Sequence, residues 1–179
     1  MHIANVSHYV TPESILDKEA VVRATSIYLV DRTVPMLPER LSNGICSLVP
    51  DEDRLTFSAV FTLNTKGEIE SEWFGRTIIH SQKRFSYEEA QKVLDEKEGP
   101  CAEALLSLDA LAKQIRAARM RDGAIAFETE EVKFELDETG KPLSVYRKVI
   151  QDTNKLIEEF MLLANKRVAH LIATKDKRS

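Results

Sequence analysis

Residues 55–80, LTFSAVFTLNTKGEIESEWFGRTIIH, constrain the fold more than any other stretch. Val, Ile, Phe, Thr and Trp crowd both halves, and the polar NTKG between them ends on a glycine. The run predicts two long antiparallel strands joined by a short turn. Such a pair is marginal alone in water and needs a further strand or a helix over its apolar face. The rest of the chain must supply that cover.

Helices are available for it. FSYEEAQKVLDEK places Glu89 three residues after Ser86, the spacing of a capping box. PCAEALLSLDALAKQIRAARMRDG reads as a long amphipathic helix, with Pro100 at its start, basic residues in its last turns and Gly123 as its stop. TPESILDKEAVVRAT predicts a shorter helix with Thr11 as N-cap and Pro12 at the first helical position. A closing helix is expected from about Asp152 to about Ile172, with Ile157, Met161, Ala164, Val168 and Leu171 as its buried stripe. HIANVSHYV, AIAF, VKFEL and LSVYRKV read as strands, the last two forming a hairpin around DETG. The fold class is therefore mixed α/β (α+β): an antiparallel-rich sheet with long amphipathic helices packed on it. The first strand begins almost at Met1, which reads as a domain entered part-way.

Composition removes whole classes of function. A chain of 179 residues suits one domain, and 43% apolar with 30% charged residues describes an ordinary globular protein. No apolar run approaches the ~20 residues of a membrane span. No basic stretch followed by an apolar one opens the chain as a secretory leader would. Cys46 and Cys101 lie far apart and outside any CxxC pattern, so neither a zinc site nor a disulfide framework is indicated. Reduced thiols in a cytoplasm are the expectation. A net charge of −4 counts against a dedicated nucleic-acid binder, unless charge is unevenly distributed.

The residues alone show no reaction centre. Asp51 and Asp53 in PDEDRL have the spacing of metal ligands, but one short acidic turn offers too few fixed oxygens and reads as a solvated turn before a strand. His2, His8, His80 and His170 show neither HxH nor HExxH spacing. There is no GxSxG elbow and no phosphate-binding glycine loop. Lys113, Arg116, Arg119 and Arg121 could line a path for phosphates, although such residues more often favour a helix C-terminus and solubility.

The stretch RATSIYLVDRTVPMLPERLSNGICSL is different in kind. Pro35 and Pro38 each fix a backbone angle, so PMLP can continue neither a helix nor a central strand. HIANVSHYV, LDKEAVVRATSIYL, VPMLPERLSNGICSL and DRLTFSAVF together resemble the catalytic domain of the ribonuclease R and ribonuclease II family. RFSYEEAQKVL, DGAIAFETEEVKFELDETGKPL and NKLIEEFMLLANKRVA follow in the family's order. The likeness covers nearly the whole chain and leans towards ribonuclease R.

The resemblance implies a fragment of a larger catalytic domain, truncated at both ends, from a processive hydrolytic exoribonuclease that degrades single-stranded RNA from its 3′ end. It implies magnesium in the full-length parent, held by aspartates upstream of this chain, and no catalytic or metal-ligating residue within it. It also assigns RNA-binding roles. Tyr28 and Phe127 match a clamp that stacks on terminal bases, while Tyr87 and Glu158 match residues set against the ribose. From the residues alone, Tyr28 and Phe127 read as core aromatics and Glu158 as a surface acid. The corner after Tyr28 would then be scaffolding for the clamp. Asn5 departs from the family, which usually has aspartate there. The rival expectation is a binding-only domain, for RNA or protein, on the same scaffold.

Overall fold

The computed structural model describes residues 1–125, 132–147 and 149–175. The long strand pair is its spine. β4 (Asp53–Leu63) and β5 (Ile69–His80) run antiparallel, with Thr56 opposite Thr77 and Ala59 opposite Phe74. β1 (His2–Ala4) pairs with the other edge of β4, giving the order β1-β4-β5. In the turn, the side-chain oxygen of Asn64 accepts the N–H groups of Lys66 and Glu68 at 2.9 and 3.0 Å. Gly67 sits there at φ 79°, and a Cβ in its place would press on the Ile115 side chain. Glycine serves both the left-handed backbone and the close approach of the helix carrying Ile115.

Among the described residues four α-helices follow the sequence closely, with shifts at their ends. α1 spans Ile15–Arg23, α2 Tyr87–Glu96, α3 Ala102–Arg121 and α4 Asp152–Lys175. The capping box of α2 is present: Glu89 N–H donates to Ser86 Oγ at 3.1 Å, and Ser86 N–H donates to Glu89 at 2.8 Å. α1 is capped by Ser14, not Thr11, because Glu13 takes φ 64° and a helix cannot run through it from Pro12. α3 likewise begins after Cys101, at φ 57°, and not at Pro100. The HIANVSHYV strand stops at Ala4. Asn5 turns the chain into a short 3₁₀ turn, Val6–His8, its N–H bonded to Leu55 O at 2.9 Å and its side-chain oxygen accepting the Ser7 hydroxyl at 3.0 Å. Asn5 is buried, where a neutral amide is less costly than a carboxylate.

Two small hairpins stand apart from the main sheet. β2 (Ile27–Tyr28) pairs with β3 (Thr33–Val34), and β6 (Val132–Leu136) pairs with β7 (Pro142–Arg147) around the expected DETG turn. The AIAF segment leaves the described residues after Ile125, and Phe127 lies outside them.

Ala90, Val93 and Leu94 of α2, Ala112 of α3 and Leu156 of α4 are buried where the three helices meet. Farther along, Arg167 of α4 clasps Glu72 of β5 through two hydrogen bonds of 2.6 Å. The stripe expected on α4 is corrected by this arrangement. Of the expected residues Ala164 is buried and Leu171 half-buried, Ile157, Met161 and Val168 are exposed, and Thr153, Leu156 and Glu159 are buried outside the stripe. Where α4 packs on α2 and α3 its buried positions lie to one side of that stripe, and towards its end Val168 and Ile172 line the open apolar groove beside the sheet. Among the described residues, no helix is long and apolar enough to cross a membrane.

Candidate nucleic-acid interface

Tyr28 lies on the β2–β3 hairpin opposite Thr33, and 80% of it is exposed. The core-aromatic reading therefore fails for Tyr28. The proline corner ties its hairpin down: Met36 N–H donates to Ser26 Oγ at 2.9 Å, and the Arg23 guanidinium donates to Pro35 O at 3.4 Å. Leu41, in the π-helical turn Arg40–Ile45 that follows, is buried and anchors the corner. Met36 and Leu37 are half-buried.

Tyr87 opens α2, where the capping box fixes the backbone, and is 42% exposed. Thr153 of α4 donates its hydroxyl to Tyr87 O at 3.2 Å and its N–H to Gln91 at 3.2 Å. These bonds draw the start of α4 against α2. A cavity of about 580 Å³ lies elsewhere, between the sheet and the end of α4, with an almost wholly apolar lining. The cavity beside Tyr87 is of similar size, about 550 Å³, and is lined also by Arg84, Phe85, Lys133, Leu156 and Ile157.

Glu158 is half-exposed on α4 and shares two cations with its buried neighbour. Arg119 reaches it at 3.5 Å and Arg116 at 3.9 Å. Glu159, only 1% exposed, accepts from Arg116 at 3.2 Å and from Arg119 Nε at 3.0 Å, with a second bond from Arg119 Nη2. The bond to Glu159 holds the Arg119 guanidinium above its usual pKa. One turn earlier, Lys113 bridges Asp109 at 2.7 Å and Asp152 at 3.2 Å, and those bonds raise its ammonium pKa in the same way. Three of the four cations weighed as a phosphate path are thus tied into the α3–α4 contact. Arg121, exposed at the end of α3, is the fourth.

Glu159 is the residue that sequence reasoning missed. A signal existed: Arg116 and Arg119 are three apart on one face of α3, facing an acid three residues after Leu156.

Tyr87 and the segment bearing Glu158 are brought together by α2 and α4. Among the described residues, no hydrogen bond or ring contact joins Tyr28 to either. The acidic turn does not gather ligands. Asp53 is bonded to His80 at 2.8 Å, while Asp51 takes φ 61° and bonds Ser81 O through its backbone N–H. Among the described residues no group of three or more His, Cys, Asp or Glu could hold a metal ion. Magnesium does not fit the described residues.

A family model described as the RNB domain matches residues 1–179. The chain belongs to the RNB-domain family. DIS3-like exonuclease 2 of Schizosaccharomyces pombe is 42% identical over 191 residues, covering 97% of this chain and 20% of that protein. Ribonuclease R of Thermotoga maritima is 42% identical over 177 residues, covering 96% of this chain and 25% of that one. The RNB chain thus spans about a fifth to a quarter of these relatives' length. Among solved structures, Mycoplasma genitalium RNase R in complex with ribose-methylated single-stranded RNA matches with a TM-score of 0.91 at 32% identity, covering 98% of this chain and 28% of that one. The mixed α/β fold is that of the matching part of this RNase R.

Proposed function

We propose that this RNB chain is the substrate-holding part of a processive 3′-to-5′ hydrolytic exoribonuclease acting on single-stranded RNA. The observation that carries the reading is the match, over nearly the whole chain, to an RNase R solved with single-stranded RNA. The exposed Tyr28 ring on a tethered hairpin supports it. Base stacking on an aromatic face contributes about 1–3 kcal/mol per base and tolerates any sequence.

In this reading Tyr28 stacks on bases near the 3′ end, and Phe127, by resemblance alone, completes the clamp. Tyr87 and Glu158 address the ribose. The 2′-hydroxyl both donates and accepts hydrogen bonds, a carboxylate accepts only, and a phenol does either, so the pair suits that group. Magnesium serves the full-length parent and is held by residues other than those described, where it would supply charge at the phosphate. This chain's work is to bind, thread and orient the strand. The reading places the parent in the cytoplasm.

The test is direct. Labelled single-stranded RNA with a free 3′ end is titrated with the chain, then incubated with magnesium. Binding without shortening of the RNA is the expected outcome. Absence of binding overturns the substrate-holding role, and processive shortening by this chain alone overturns the assignment of the metal centre to other residues.

A further inference from the structure

The α3 cations Lys113, Arg116 and Arg119 are bonded to carboxylates, so a strand passing this face must find its positive charge elsewhere. Among the described residues, Arg84 and Lys133 are the cations that line the cavity beside Tyr87, and both are exposed. Among the described residues neither has a carboxylate partner.

We propose that this cavity is a nucleotide-binding subsite in which Arg84 and Lys133 take the phosphate of the nucleotide whose sugar meets Tyr87. The assignment rests on the reading of Tyr87 given above.

Three features of the place support it. Its volume, about 550 Å³, lies within the usual range of small-molecule sites, about 300–1,000 Å³. Its lining residues divide by chemistry: Phe85, Leu156 and Ile157 are apolar, whereas Arg84, Lys133 and Tyr87 carry donors. A third feature is the N-terminus of α2, whose partial positive charge favours an anion nearby. The Glu89 N–H there is already given to Ser86, so phosphate is met chiefly by the two side chains. Among the described residues Glu88 also lines the cavity, one acid beside the two cations. The larger groove between the sheet and α4 lacks this division, with Lys175 the one lysine or arginine among its described lining residues.

The experiment measures affinity for a short single-stranded RNA, and for DNA of the same sequence, across a salt series. The proteins are the wild-type chain, Arg84→Gln, Lys133→Gln, the double variant, Arg84→Lys and Tyr87→Ala, with thermal melts to verify folding. Each lost phosphate contact on a single strand reduces the slope of log affinity against log salt by about 0.7. The expected result is that slope change for each Gln variant, equal on RNA and DNA and roughly doubled in the double variant. Arg84→Lys should restore the wild-type slope. An unchanged slope in the folded double variant, with Tyr87→Ala still weakening RNA binding, overturns the subsite and leaves the Tyr87 reading intact. A reduced slope with binding indifferent to Tyr87→Ala overturns both, and leaves two cations of a general surface patch.

Discussion

The guanidinium of Arg119 is hydrogen-bonded to the buried carboxylate of Glu159 and lies 3.5 Å from the half-exposed carboxylate of Glu158. One cation therefore joins a packing contact between α3 and α4 to the acid proposed to read the ribose. Arg119→Ala leaves Glu159 buried with Arg116 as its remaining partner. Breaking a buried pair by removing one member costs about 3–5 kcal/mol, and the lower end is expected here because Arg116 stays. Urea denaturation of the variant measures it, and a loss below about 1 kcal/mol makes the pair no stronger than a surface bridge.

Tyr28→Ala should separate stacking from packing. With 80% of the residue exposed, stability is expected to change by no more than about 0.5 kcal/mol. Affinity for a short RNA is expected to fall by about 1–3 kcal/mol, the worth of one stacked base. Paired melting and binding curves decide: lost stability with unchanged binding returns Tyr28 to the core.

Glu158→Ala in the full-length parent is expected to reduce cleavage of RNA more than cleavage of matched DNA. The narrowing corresponds to one hydrogen bond to a charged group, about 1.5–3 kcal/mol. Tyr87→Phe should act in the same direction and more weakly. Both rates are measured at fixed magnesium. Equal slowing of both strands would remove Glu158 from ribose recognition.

The bridge between Glu72 and Arg167 predicts a pH dependence. The hydrogen bond from Arg167 holds the Glu72 carboxyl below the usual glutamate range. A carboxyl lowered in the folded state contributes stability above its unfolded pKa and loses it as pH falls through the folded value. The difference in melting temperature between wild type and Glu72→Gln should therefore be full near neutrality and shrink as pH drops below the ordinary glutamate range. A difference constant down to pH ~3 would show that the carboxylate charge is not what joins β5 to α4.

Local signals settled much of this protein before any contact was known. The β4–β5 pair follows from β-branched and aromatic residues on either side of a glycine turn, and the α2 cap from Ser86 and Glu89 at the right spacing. The family was legible in motifs such as VPMLPERLSNGICSL, and with it the residues to examine. Whether Tyr28 packs or stands free was not legible, because burial depends on what the rest of the chain brings to a ring. The face of α4 was misread for the same cause: periodicity finds an apolar stripe, but which side of the helix is covered depends on where α2 and α3 lie. Glu159 shows the limit most clearly. An acid beside apolar positions reads as surface until Arg116 and Arg119 arrive from α3, and only the tertiary structure supplies the charges that make its burial stable.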